Sequence, residues 1–292
     1  MDLTPFKTCT VDCVFCQLGR TTHKTIEREE YVPLKDVKAE LNRWVKGGGK
    51  ADYITLSGSG EPTLYSRFGD VLSLIRDRTP FPAVLLSNGT LFDQPAVRQS
   101  ACHANIVKLS LSAWDQVSFE HVNRPHPDLR FNRIIDAYRV FRDEFRGKLW
   151  LEVFLLWGMN SVPRDVEKIA KLAATIRPDE IHLNTAVRPP AEEFAVPVPR
   201  KQMEAVAGLF HPCAKIIAEF PSNKSSDIAA NETTILAMLR RRPCTARQIS
   251  EVFGMHLNEL AKYLGKLMRI GAIRAQVKDY QTYYVAVKNA GD

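Results

Sequence analysis

The sequence contains no apolar run approaching the roughly 20 residues that a membrane-spanning helix needs, no internal repeat and no low-complexity tract. Its first residues, Met1-Asp-Leu-Thr-Pro-Phe-Lys-Thr-Cys9, lack the charged-then-apolar order of a secretory signal. No membrane partner is expected, and the expected location is cytoplasmic. Cysteine is scarce, with 6 in 292 residues. In a reducing compartment such thiols serve metal binding or catalysis more readily than disulfides. Three of them, Cys9, Cys13 and Cys16, crowd into eight residues, while Cys102, Cys213 and Cys244 are scattered. The scattered three are expected to be ordinary buried or half-buried thiols. An acidic excess is also missing. The net charge is +7, and residues 231–292 alone hold ten Lys/Arg against five Asp/Glu. A polyanionic partner is therefore to be sought in the C-terminal part.

What is present is an ordinary globular composition, 45% hydrophobic and 25% charged, which can bury a core. The length suits one large domain and a small one. Beyond the cysteines, strand-like runs at 53–57, 83–87, 106–111, 149–156 and 180–186 alternate with helical patterns at 37–45, 71–75, 95–100, 133–145 and 164–176. That alternation predicts an α/β fold with a parallel sheet and helical crossovers. A further helix is expected within 197–210 and a last strand within 216–220. Pro221-Ser-Asn-Lys-Ser-Ser226 reads as a polar, turn-rich linker. The expected division is a core domain over 1–222, a linker over 223–230 and a second domain over 231–292. That second domain reads as helices at 232–241, 245–253 and 256–269, with Thr245 as an N-cap, then two strands at 272–277 and 282–287. Three helices followed by a hairpin predict a winged helix-turn-helix.

Cys9-Thr-Val-Asp-Cys13-Val-Phe-Cys16 spaces its thiols as C-x3-C-x2-C. Three thiolates from one loop can bind three irons of a cubane cluster and leave the fourth iron open. A structural zinc site with His23 as fourth ligand is the alternative on spacing alone, and unligated thiols are a third reading.

The spacing, with aromatic Phe15 before the last cysteine, resembles the radical S-adenosylmethionine (SAM) superfamily. Ser57-Gly-Ser-Gly60-Glu61-Pro62, closing the 53–57 strand, resembles the family's glycine–glutamate motif, in which backbone and Glu hold the SAM amino group. Gly60 allows close backbone approach, and a carboxylate suits an ammonium. Ser87-Asn88-Gly89 is similar to the polar pair near the SAM carboxylate. Ser110 and Ser112 fall at the ribose-contacting position, and 180–190 resembles the strand region whose backbone meets the adenine. The resemblance covers about residues 1–220. It implies a partial parallel (β/α)6 TIM-like barrel and a [4Fe–4S] cluster on Cys9, Cys13 and Cys16. It also implies bound SAM and a reductant such as flavodoxin or ferredoxin. The chemistry it implies is reductive cleavage of SAM to a 5'-deoxyadenosyl radical that abstracts hydrogen from a substrate. One barrel strand is expected ahead of the cysteines; only eight residues precede Cys9, so that strand is expected to be short or missing, as in a truncated sequence. Asn123-Arg-Pro125 and Arg188-Pro-Pro190 narrow the resemblance to an iron–sulfur oxidoreductase group similar to the wyosine-forming, tRNA-modifying enzymes. The extra cysteines of a second cluster do not precede Cys9, so the wyosine reaction is not carried over.

For the substrate, Arg20, Glu152, His182, Asn184 and Arg188 are polar residues on or beside expected strands. His182 and Asn184 share a strand face by the period of two. Their plain alternative is a polar barrel interior. Arg188 before two prolines sits in a fixed loop where it can meet a carboxylate or phosphate. In the second domain Asn258, Lys262, Lys266 and Arg269 lie opposite the Leu257/Leu260/Leu264/Leu267 stripe. A nucleic acid is the first-choice partner, a peptide or protein the second, and a solvated helix face the plain alternative. Two functions compete: a radical enzyme acting on an RNA base or a protein side chain, and an iron–sulfur redox sensor governing a winged-helix DNA reader. The Gly60-Glu61, Ser87-Asn88 and Ser110/Ser112 set favours the enzyme.

Overall fold

The computed structural model describes residues 1–218, 231–241, 243–253, 255–278 and 280–287. Contacts group the chain into two units, the first made of Met1–Phe15, Arg20–Ala186 and Phe194–Ala218. In this unit β1 (Thr8–Cys9) pairs in parallel with β2 (His23–Lys24), and α1 (Leu34–Lys46) follows. Then come β3 (Ile54–Leu56), a 3-10 turn (Pro62–Leu64), α2 (Phe68–Arg78), β4 (Ala83–Ser87), α3 (Pro95–Ala101) and β5 (Ile106–Ser110). Two helices, α4 (Gln116–Asn123) and α5 (Phe131–Glu144), precede β6 (Lys148–Leu155). The chain continues through α6 (Pro163–Ile176), β7 (Glu180–Thr185), α7 (Arg200–Ala207) and β8 (Lys215–Ile216).

Strands β3 to β8 form one parallel sheet in simple sequential order, as helical crossovers between consecutive strands dictate. The period of two decides which residues meet the helices. Leu149, Leu151, Val153 and Leu155 of β6 and Ile181 and Leu183 of β7 are all 0% exposed. They share a core with Tyr138 and Phe141 of α5 and Val166, Ile169 and Ala173 of α6. The intervening residues put Trp150, Glu152, His182 and Asn184 on the opposite face, with Glu152 level with His182 and Phe154 with Asn184.

The expected alternation is present, with one difference. The sheet has six strands: the last strand expected near 216–220 is β8, which closes the sheet beyond β7, and β1, the strand at the cysteines, is short and lies outside the sheet. Helix α4 was not anticipated, because its signal is a four-residue one. Asp115 is the N-cap, accepting from Ser118 N–H, while the Ser118 hydroxyl receives the Asp115 N–H. Arg124, with φ 46°, ends the helix in the left-handed region, and Pro125 forbids its continuation.

The second unit comprises Cys16–Gly19, Val187–Glu193 and residues from 219 onward; the linker expected at 223–230 lies outside the described residues. Both short segments were expected in the first domain. Its helices are α8 (Glu232–Arg241), α9 (Ala246–Phe253) and α10 (Leu257–Arg269). Strands β9 (Cys244–Thr245), β10 (Ile273–Lys278) and β11 (Gln281–Ala286) form an antiparallel sheet in the order β10-β11-β9. Thr245 caps α9: its hydroxyl accepts from Gln248 N–H at 3.2 Å, and the Gln248 side chain accepts from Thr245 N–H at 3.0 Å. Ile235, Leu239, Ile249, Leu260, Leu264 and Leu267 make a core separate from that of the first unit. Within this unit the Tyr283 hydroxyl donates to Val187 O at 2.5 Å, and Arg188 donates to Gln17 at 3.1 Å. Among the described residues no helix is long and apolar enough to cross a membrane.

Candidate functional site

The segment leading to Cys9 is clamped on the turn after β3. Lys7 N–H donates to Ser59 O at 2.7 Å, Glu61 N–H donates to Thr8 O at 3.0 Å, and Ser59 donates backbone N–H and hydroxyl to Asp2. A Cβ on Gly60 would lie 2.0 Å from Thr8 O, so the approach of the two backbones demands glycine there. The expected use of Gly60, close backbone approach, is thus taken up by the cysteine segment itself.

Glu61 is 2% exposed. Its Oε1 accepts from Thr63 N–H at 3.1 Å, the Thr63 hydroxyl at 2.7 Å and the Ser87 hydroxyl at 2.7 Å, and its Oε2 accepts from Asn88 N–H at 2.8 Å. Burial pushes the carboxyl above its ordinary range against the pull of these donors. The resemblance gives this carboxylate to a ligand ammonium; within the chain it has a structural role. It caps the 3-10 turn and ties β3 to the end of β4, because a buried carboxylate gathers every nearby donor.

Through that tie Asn88 is set beside Cys9. Its Oδ1 accepts from Thr90 N–H and hydroxyl, at 3.0 and 2.8 Å. A backbone N–H can only donate, so the amide nitrogen must face the other way. It donates to the Thr10 hydroxyl at 2.8 Å and approaches Cys9 Sγ at 3.5 Å. Cys13 receives a second amide, from Asn123 Nδ2 at 3.2 Å. The C-terminus of α4 aims that side chain, since Asp12 N–H donates to Asn123 O at 2.9 Å and Val14 N–H to Val122 O at 3.0 Å. A thiol that faces an amide donor is prepared to carry negative charge.

Asp12, between Cys9 and Cys13, accepts from Arg20 Nε at 2.8 Å and Thr21 N–H at 2.7 Å. Burial pushes its carboxyl up, but these hydrogen bonds and the charges of Arg20 and Lys7 hold it below the usual range. Arg20 therefore braces the loop rather than lining a strand. Among the described residues no three His, Cys, Asp or Glu side chains are arranged to hold a single metal ion. A mononuclear zinc site using His23 would need that arrangement, and His23 is exposed on β2.

A small cleft lies beside the loop, lined by Val11, Asn88, Thr90, Ser110, Ser112 and Asn123 and walled by Tyr138 and apolar α5 residues. Three expected site residues, Asn88, Ser110 and Ser112, thus share one cavity. Ser87 does not line it; its hydroxyl is spent on Glu61 and Gly89 N–H. The Ser112 hydroxyl accepts from Phe154 N–H at 3.1 Å. The Phe15 ring stacks on Phe154 at 4.0 Å between centroids, with 10° between planes. Tyr138, buried, donates toward Asn88 O and Ser110 O, and burial raises its hydroxyl pKa.

On the sheet face opposite the helices, Glu152 pairs with Lys108 at 2.8 Å and accepts from Asn184 at 2.7 Å. His182 contacts Glu180 at 3.2 Å and packs against Trp150, and burial lowers its pKa. His182 and Asn184 share one face as expected, and Glu152 of β6 lies on that same face. Arg188 is buried in the second unit against Gln17. Four residues were given no role from the sequence: Thr10, Thr90, Lys108, and Asn123, which entered only within the Asn123-Arg-Pro125 motif. Asn123 and Lys108 had a signal, one ending a capped helix beside a Pro, the other the lone charge in an apolar strand. Cys102 and Cys213 are exposed rather than buried, and Cys244 is buried as expected.

Comparison with known proteins places this architecture. The chain is 30% identical over 95% of its length to a GTPase Obg of Brachyspira hyodysenteriae, but spans only 41% of that protein. It is 27% identical to the UPF0026 protein MJ1312 of Methanocaldococcus jannaschii over 96% of this chain and 89% of that one. The structure of TYW1 with a lysine-pyruvate adduct bound shares the fold, with a TM-score of 0.53 at 18% identity, covering 71% of this chain and 70% of that chain. The family model of the radical SAM superfamily matches residues 3–186, which contain the cysteine loop and strands β3 to β7. The chain belongs to the radical SAM superfamily.

Proposed function

We propose that this protein cleaves SAM at a [4Fe–4S] cluster held by Cys9, Cys13 and Cys16, and that a nucleic acid carries its substrate. The observation that carries the first part is the pair of amide donors, Asn123 on Cys13 and Asn88 on Cys9. Sulfurs that accept N–H bonds suit thiolates of a cluster, and ligands that share a cubane need not converge on one ion as zinc ligands do. The residues therefore fit the group that the family implies. When bound, the cluster and SAM supply a 5'-deoxyadenosyl radical able to take a hydrogen atom from an unactivated carbon.

The chain's own residues position and shield. Phe15, stacked on Phe154, offers a flat apolar face for an adenine. Ser110 and Ser112 offer polar groups to a ribose at the cleft. The 57–61 turn offers backbone carbonyls to an ammonium, with Gly60 letting the cysteine segment pack on the turn and Glu61 holding the turn in shape. The substrate is assigned to the polar sheet face of Lys108, Glu152, His182 and Asn184, where a mixed set of donors and acceptors is held by mutual pairing.

We read the second unit as a winged helix-turn-helix, a reading supported by its order of α8, β9, α9, α10, β10 and β11. Its α10 turns Leu260, Leu264 and Leu267 inward and leaves Asn258, Lys262, Lys266 and Arg269 exposed or half-exposed. Together with the +5 balance of residues 231–292, this suits phosphate contact. An iron–sulfur redox sensor is the competing reading.

Anaerobic protein loaded with iron and sulfide, given SAM and dithionite, is expected to form 5'-deoxyadenosine, and Cys13→Ala is expected to abolish it. A fully loaded cluster that leaves SAM intact would refute the enzyme and favour the sensor. A flat dependence of RNA binding on salt would refute the nucleic-acid part and point to a peptide.

A further inference from the structure

The two asparagines on the thiol sulfurs have a consequence for electron transfer. Asn123 is 8% exposed and sits at the last position of α4, whose terminal carbonyls accept from the amides on either side of Cys13. The backbone that carries the side chain is bonded to the loop it serves, which keeps the amide within reach of Cys13. Asn88 is held as firmly, with both its amide hydrogens and its carbonyl oxygen engaged. The sequence reading gave Asn88 to the SAM carboxylate and gave Asn123 no role. In the structure both amide nitrogens point at sulfur.

We propose that Asn123 and, more weakly, Asn88 set the reduction potential of the cluster by donating hydrogen bonds to its ligand sulfurs. This rests on the assignment of Cys9 and Cys13 as ligands. Reduction adds one electron from a donor such as dithionite, taking the cluster from the 2+ to the 1+ state with no bond made or broken. The added charge spreads onto the thiolate sulfurs. An N–H dipole aimed at such a sulfur stabilises the reduced state more than the oxidised one, and so raises the potential. Cys9 and Cys13 are partly buried, which strengthens the effect by limiting the competition from water for the sulfur. Asn123, at 3.2 Å with a single sulfur partner, is the stronger donor; Asn88, at 3.5 Å, shares its amide with Thr10. SAM cleavage needs a low potential, so these donors bring the cluster within reach of the cell's reductants.

The test is a redox titration of anaerobically loaded protein, following the reduced cluster by electron paramagnetic resonance, with iron and sulfide measured on the same samples. Asn123→Ala removes the donor, and Asn123→Asp replaces it with an anion of the same shape. Both are expected to load iron as the native chain does. At a fixed solution potential, the ratio of reduced to oxidised cluster should fall about tenfold in Asn123→Ala, which is 59 mV for one electron. It should fall further in Asn123→Asp and less in Asn88→Ala. Loaded variants that titrate with the native potential would overturn the proposal. Loss of the cluster from both Asn123 variants would overturn it too, since the amide would then build the site rather than tune it. A native chain that takes up no cluster would instead contradict the ligand assignment on which this rests.

Discussion

Replacing Glu61 by glutamine separates two roles that sequence and structure assign differently. If the carboxylate holds a ligand ammonium, Glu61→Gln should weaken SAM binding and leave folding alone. The structure predicts the reverse. Oε1 accepts three hydrogen bonds and Oε2 accepts one. The glutamine amide would therefore turn its nitrogen to the Oε2 position, opposite Asn88 N–H, which lies 2.8 Å away and cannot reverse its role. One bond to a charged acceptor is lost, about 1.5–3 kcal/mol. Sparing a buried charge offsets part of this, because burial already disfavours the carboxylate. A net loss of about 2 kcal/mol is expected, or roughly 4–8 °C in unfolding temperature for a unit of this size. Urea and thermal unfolding of the reduced, metal-free chain measure the first quantity, and equilibrium dialysis with SAM on loaded protein the second. An unchanged unfolding midpoint with SAM affinity reduced 30-fold or more would refute the reasoning and return Glu61 to the ligand.

Gly60→Ala drives a Cβ to 2.0 Å from Thr8 O and forces the cysteine segment off the turn. Iron uptake should fall well below that of the native chain, whereas the neighbouring Ser59→Ala should load normally. Asp12→Asn should destabilise the first unit by about 1–2 kcal/mol at neutral pH. Because the native carboxyl lies below its ordinary value of 3.8, that stability is present above 3.8 and is lost as pH falls through the lowered value. Thermal unfolding of the two proteins should therefore converge in acid; a constant gap down to pH 2 would contradict the pairing with Arg20. In the second unit, Lys262→Glu with Arg269→Glu should weaken RNA binding and flatten its salt dependence, each lost phosphate contact removing about 0.7–0.9 from the slope of log affinity against log salt. A salt slope equal to that of the native chain would move the binding surface elsewhere.

The fold of the first unit was legible because β4 to β7 repeat one physical pattern: a short strand whose alternate residues are apolar, then a helix ended by Gly, Pro or a polar turn. The same period placed His182 and Asn184 on one face. What escaped it was short or relational. β8 has two residues, too few for any periodicity, so the far edge of the sheet was indistinct. α4 is announced by Asp115 and Ser118 alone, and with α4 went Asn123, whose role depends on a cysteine 110 residues earlier. Glu61 shows a different limit. A sequence shows that a carboxylate follows a glycine turn, but not that two donors of its own turn and two from the end of β4 converge on it. Lys108 was visible as a charge inside an apolar strand, and its partner Glu152 could be inferred only once β5 and β6 were known to be neighbours.

The central claim is that three thiols of this chain hold a cluster on which SAM binds and is cleaved. Electron paramagnetic resonance of the reduced, reconstituted protein, recorded with and without SAM, tests it most directly. The signal of a [4Fe–4S] cluster in the 1+ state is predicted, with a spectrum that changes when SAM is added. Both the signal and the change should be absent from Cys9→Ala, Cys13→Ala and Cys16→Ala. A well-loaded cluster whose spectrum is indifferent to SAM, or one that survives loss of any of these cysteines, would contradict the account.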